Sequence, residues 1–114
     1  MSESEIFVGV DVSKAQLDVG VSGLDDVRSF PNSEGGISEL ARWLEGHSPT
    51  LVVMEATEGF EVPAAAALAT AGIPVVIANP RQVRDFAKAT GQLAKTDQID
   101  AHILALFAER SRFA

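Results

Sequence analysis

The stretch Ile6-Phe7-Val8-Gly9-Val10-Asp11-Val12-Ser13-Lys14-Ala15-Gln16-Leu17-Asp18-Val19-Gly20-Val21-Ser22 decides the fold. Residues 6–13 are almost continuously apolar and read as a buried strand, whereas residues 16–22 alternate through Leu17, Val19 and Val21 as a second one. Only Lys14-Ala15 separates the two, which predicts a tight hairpin. Gly23-Leu24-Asp25-Asp26 then reads as a turn and residues 27–30 as a short third strand, so the chain opens with an antiparallel meander.

Downstream the period changes. Asn32 or Ser33 is expected to cap a helix whose apolar positions Ile37, Leu40, Ala41 and Leu44 follow helical spacing, with Trp43 alongside. Gly46-His47-Ser48-Pro49 ends it, and residues 51–54 form a continuous apolar strand of the kind buried on both faces. After Thr57-Glu58-Gly59-Phe60 comes a second helix with Pro63 in its first turn, closing at Gly72. Residues 74–78 read as a fifth strand, residues 81–89 as a third helix, and a last helix is expected to start near Thr96 and pass through Ile99, Ile103, Leu104 and Phe107. The resulting order, βββαβαβα, predicts an α/β fold with a mixed five-stranded sheet and helices on both faces. This is the ribonuclease-H-like plan, in which the first strand is central and the fourth lies beside it. The ends of those strands carry Asp11 and Glu55.

A chain of 114 residues suits a single domain spanning 1–114, and no repeat or linker divides it. Cysteine is absent, which excludes disulfides and thiolate metal sites and leans towards a cytoplasmic location. The acidic start Met1-Ser2-Glu3-Ser4-Glu5 is unlike a signal peptide. The longest apolar stretch, residues 63–78, is interrupted by Thr70, Gly72 and Pro74 and reads as no membrane span. A net charge of −7 argues against a protein that simply coats DNA, but the charge is uneven. Residues 1–62 hold twelve acids and three bases, and residues 63–114 hold four acids and six bases. A nucleic-acid surface therefore belongs to the second half.

Four acids carry the chemistry. Asp11 ends one apolar run and Glu55 another, while Asp97 and Asp100 lie three apart where the last helix is expected to begin. Each has a plain structural role available: a turn residue for Asp11, a helix N-terminus for Asp97. Glu55 is harder to place in a plain role, because burying an unpaired carboxylate is costly. Asp100 sits one turn beyond Asp97 and would repel it. Brought to one sheet edge, the four make candidate catalytic residues and ligands of a hard cation, Mg²⁺ or Mn²⁺, in a phosphodiester-processing centre. A second constellation is basic: Arg81, Arg84 and Lys88 fall at i, i+3 and i+7 on one helical face, and Lys95 follows in the loop. Such a face is commonly just solvated. Directly before the Asp pair, it reads as a surface for phosphate contacts.

Other signatures fail. There is no GxxxxGK or GxGxxG loop, and Gly20-Val21-Ser22-Gly23-Leu24 misses GxSxG. His47, placed in a turn, and His102, in the last helix, read as surface or packing residues, and Trp43 and Phe60 as core or staple residues. Half of a sugar-kinase-like ATPase would accommodate Gly9-Val10-Asp11 but needs a second phosphate loop, which is missing.

At these residues the chain resembles a known family. Val8-Gly9-Val10-Asp11-Val12-Ser13-Lys14, Met54-Glu55-Ala56-Thr57, Asn79-Pro80-Arg81-Gln82-Val83-Arg84-Asp85-Phe86 and Leu93-Ala94-Lys95-Thr96-Asp97-Gln98-Ile99-Asp100-Ala101 look like the signature blocks of DEDD-type insertion-sequence transposases, relatives of pilin-gene-inverting site-specific invertases. The resemblance implies that Asp11, Glu55, Asp97 and Asp100 match the tetrad of a RuvC-like catalytic domain acting on DNA with Mg²⁺. It also implies a second, C-terminal transposase domain with a serine implicated in strand exchange, expected to be absent from this chain. In some members it further implies a structured guide RNA, and homo-oligomerisation through the full-length protein. Glu58 and Phe60 stand where the family usually has Gly and Tyr, which leaves the tetrad untouched. The rival expectation is a non-catalytic module for dimerisation or for binding guide RNA or DNA.

Overall fold

The computed structural model describes residues 5–91 and 99–111. Its hairpin is built as the two-residue turn requires. Ser13 N donates to Gln16 O at 2.9 Å, and β1 (Phe7–Val12) pairs antiparallel with β2 (Gln16–Val21) so that Val12 faces Leu17, Asp11 faces Asp18 and Gly9 faces Gly20. β3 (Val27–Pro31) continues the meander on β2. The chain then crosses through α1 (Glu34–His47) to β4 (Leu51–Glu55), and through α2 (Val62–Thr70) to β5 (Val75–Ala78). Both crossovers give parallel pairs, β4 on β1 and β5 on β4. The order β3-β2-β1-β4-β5 puts β1 in the middle, with β4 beside it, as the ribonuclease-H-like plan requires. α3 (Pro80–Ala89) and α4 (Ala101–Ser111) follow.

Strand alternation sorts the core into two layers. Val8, Val10, Val12, Leu17, Val19, Val52 and Met54 point to one face, where Ile37, Leu40 and Leu44 of α1 and Ala64 and Leu68 of α2 cover them. Phe7 and Val53 point to the other, against Val83 and Ala87 of α3 and Ile103, Leu104 and Ala108 of α4. Fully burying one such Leu is worth about 1.5–3 kcal/mol, an upper bound because unfolded chains are partly compact. On the second face α4 lies directly on the β1–β2 pair. A Cβ at Gly9 would collide with Ala101 O and Ala105 N and lie 2.5 Å from Leu104 Cβ; one at Gly20 would lie 3.0 Å from Ala101 C. Glycine here permits backbone-to-backbone approach.

Helix ends differ from the sequence expectation at two places. α1 runs on through His47, because Ser48 N still donates to Leu44 O (3.1 Å) and Glu45 O (3.3 Å) while Ser48 takes the left-handed conformation, φ 48°. His47 therefore sits in the last helical turn, its ring centroid 4.4 Å from that of Trp43, rather than in the turn beyond. α4 starts at Ala101, not near Thr96. Asp100 Oδ1 accepts from Ile103 N at 2.9 Å and Asp100 O from Leu104 N at 3.1 Å, which makes Asp100 the N-cap. Lys95, Thr96 and Asp97 lie outside the described residues. Of the two candidate caps of α1, Ser33 serves, accepting from Gly36 N at 3.2 Å. Among the described residues, no helix is long and apolar enough to cross a membrane.

Candidate functional site

β1 and β4 run parallel with Val10 opposite Met54, so Asp11 and Glu55 leave adjacent strands one residue further on. Neighbouring strands lie about 4.8 Å apart. By alternation Asp11 shares a face with Phe7 and Gly9, and Glu55 shares one with Val53; this is the face covered by α4. Across the hairpin, Asp18 faces Asp11. Asp18, Asp11 and Glu55 thus form a row over three neighbouring strands, and Asp100 caps the helix that packs on Gly9 and Gly20 from that same side.

Electrostatics agree with the row. Burial pushes the Asp11 carboxyl above its ordinary 3.8, and the charges of Asp18 and then Asp100 push it further. Glu55 is raised above its ordinary 4.5, first by burial and then by Asp11, while Arg84 pulls it down. Asp11, Glu55, Pro80, Arg84 and Ile99 line an open, largely polar cleft of about 360 Å³. Glu55 Oε2 is buried and has no hydrogen-bond partner among the described residues. A buried acceptor in that state favours a cation or a bound donor.

The donor set is all oxygen, as Mg²⁺ or Mn²⁺ prefers. Among the described residues, no three Asp, Glu or His side chains close around one point. The arrangement is an open row, not a cage, which suits an ion that keeps several waters and takes only one or two carboxylates at a time. On that basis Asp11 and Glu55, the two carboxylates that line the cleft, could supply one or two oxygen ligands to such an ion, with Asp100 close enough to act on Asp11 by its charge. Of the basic residues, Arg84 lines the cleft beside Glu55, and Arg81 and Lys88 are exposed on α3. Asp97 and Lys95 lie outside the described residues.

Two residues near the site do not stand out in the sequence. Asp18 reads there as an ordinary outward strand position; only the two-residue turn, which pairs 13 with 16 and so 11 with 18, points to it. Its Oδ1 accepts from Ser29 Oγ at 2.7 Å and Gln16 Nε2 at 2.6 Å. Glu61 exposes only 8% of its surface and is the buried charged residue among those described. Its Oε1 accepts from Thr57 N at 3.0 Å and Thr57 Oγ at 2.5 Å, so hydrogen bonding, led by the Thr57 hydroxyl, holds its carboxyl below the usual 4.5; desolvation is the lesser effect. A depressed folded-state pKa gives stability that is present above the unfolded value and lost as pH falls through the folded one. Glu61→Gln therefore lowers stability at pH 7 by about 1 kcal/mol, the difference between charged and neutral acceptors. Urea unfolding at pH 7 and pH 3 checks this, since the gap narrows in acid.

A mixed sheet of this order, with carboxylates at the ends of its two central parallel strands, defines a ribonuclease-H-like domain. Comparison with known proteins places it further. The model of the IS110-type DEDD transposases, described as "Transposase", matches residues 8–114, so the chain belongs to that family. A pilin gene-inverting protein of Moraxella bovis is 27% identical over 113 residues, and one of Moraxella lacunata is equally so. Each alignment covers 94% of this chain, and the chain spans 35% of the length of each relative.

Proposed function

We propose that this chain is the metal-dependent catalytic domain of a DNA transposase or recombinase and acts on DNA phosphodiester bonds. The observation that carries this reading is the side-by-side exit of Asp11 and Glu55 from adjacent parallel strands, with one Glu55 oxygen buried and without a hydrogen-bond partner among the described residues. Asp11, Glu55, Asp97 and Asp100 would hold Mg²⁺ or Mn²⁺. Held by these residues, such an ion would supply Lewis acidity to polarise a phosphodiester and to lower the pKa of an attacking water. Arg84 in the cleft, with Arg81, Lys88 and Lys95, would hold the DNA backbone in place. Guide RNA and homo-oligomerisation belong to the full-length protein in this reading, and the location is cytoplasmic.

The test is incubation with linear and branched DNA and Mn²⁺. Cleavage is expected, and Asp11→Asn removes it. A second reading, a non-catalytic module for DNA or guide RNA, draws on the open spacing of the described carboxylates. Binding without cleavage, unchanged in Asp97→Ala, supports that module and sinks the nuclease.

The basic helix has its own signature. Each phosphate contact adds about one unit to the slope of log affinity against log salt. Arg81→Ala combined with Lys88→Ala should flatten that slope by about two, alike for unrelated DNA sequences. An unchanged slope in a fluorescence-anisotropy titration rules out α3 as the phosphate-binding surface.

A further inference from the structure

Paired residues of β1 and β4 end at Val10 and Met54, so Asp11 and Glu55 stand just past the ladder. Beyond them the two loops are tied by one side chain that belongs to neither. Asn32 Nδ2 donates to Ser13 O at 2.9 Å, two residues after Asp11, and to Phe60 O at 3.1 Å, in the loop after Glu55. Its backbone N donates to Ala15 O at 2.9 Å. Ser33 caps α1, which leaves the Asn32 amide available for this bridge.

The far side of the bridge is itself held. Phe60 N donates to Thr57 Oγ at 3.1 Å, and Thr57 is held by the buried Glu61. A continuous bracket therefore runs from the hairpin behind Asp11, through Asn32, to the loop behind Glu55. We propose that Asn32 is a positioning residue that fixes the separation of the Asp11 and Glu55 carboxylates and so sets the affinity of the site for a divalent cation. This rests on the metal-dependent reading above. Asparagine suits the role because one uncharged amide group presents two donors, and two carbonyls at a loop junction need donors. Aspartate, of the same shape, has none to offer.

The experiment uses this 114-residue chain and variants at two neighbouring positions, 32 and 33. Asn32→Ala removes the bracket, whereas Ser33→Ala removes the α1 cap and leaves the bracket. Both lower Tm by a few degrees. Mn²⁺ affinity, read from the electron paramagnetic resonance of free Mn²⁺, should weaken roughly tenfold in Asn32→Ala and Asn32→Asp, the usual scale for groups that orient metal ligands. In Ser33→Ala it should stay within about twofold of the parent. Amide hydrogen exchange gives a readout free of metal: Asn32→Ala should speed exchange at Ser13 and Gln16 and at Phe60 and Val62 together, by about tenfold or more. Equal Mn²⁺ affinity in Asn32→Ala and Ser33→Ala overturns the positioning role. Exchange that rises at only one loop overturns the bracket. A parent chain that binds no Mn²⁺, yet shows the joint rise in exchange, overturns the metal reading and with it the affinity role, and leaves the bracket supported.

Discussion

If the proposed cation site exists, saturating Mn²⁺ is expected to raise the unfolding temperature of the parent chain by about 10 °C, the shift that corresponds to roughly one hundred times Kd for a domain of this size. Asp11→Asn is expected to abolish that shift. Without metal the same substitution raises Tm at pH 7. The sign follows from the carboxyls themselves. Asp11 is raised above 3.8 and Glu55 above 4.5, so in the pH range just above those values the folded state binds more protons than the unfolded one. Stability of the metal-free chain therefore falls as pH rises through that range, and it stays reduced above. Removing the Asp11 charge relieves first the cost of burying it and then its repulsion with Asp18, Asp100 and Glu55, and the advantage fades in acid, where the parent is itself protonated. Differential scanning calorimetry with EDTA and with excess Mn²⁺, at pH 4 and pH 7, reads both effects. Equal unfolding temperatures in EDTA and Mn²⁺ would falsify the cation site.

Gly9→Ala has the largest expected effect on the fold. The new Cβ meets backbone atoms of α4, Ala101 O and Ala105 N, as well as Leu104 Cβ. Backbone cannot turn aside as a flexible side chain can, so the helix must shift as a body. The cost is about 3 kcal/mol, the upper end for overpacking. Since Asp100 caps that helix, the shift also moves Asp100 away from Asp11. Gly20→Ala should cost less, its nearest contact being 3.0 Å. Gly46→Ala, in α1 with no atom near, should be neutral or slightly stabilising. Denaturant midpoints order the three variants. Gly9→Ala and Gly46→Ala unfolding at one midpoint would show that α4 does not lie against β1 as described.

Most of the framework is legible because each element carries its own period and its own stop. The apolar run through Val8 and Val10, the two-residue turn at Lys14-Ala15 and the alternation of Leu17, Val19 and Val21 specify a hairpin without help from the rest of the chain. Asp11 and Glu55 stand out because charge at the end of an apolar strand is unusual. The start of α4 is not legible: Thr96 and Asp97 look like a helix start, yet the cap is Asp100, whose side chain reaches Ile103 N. Local preference cannot choose between two acidic caps three residues apart.

By itself, the sequence determined the strand and helix order, the pairing of β1 with β2, and which carboxylates end apolar strands. Those properties depend on side-chain period and on turn length, both of which are local. Only the tertiary structure decided that Asp18 joins the acidic row, that Glu61 is buried against Thr57, and that Asn32 ties the loops behind Asp11 and Glu55. It also decided that Gly9 and Gly20 are the bed on which α4 rests. These are contacts between residues far apart in the chain, created when parallel strands and their crossovers bring distant loops to one edge of the sheet.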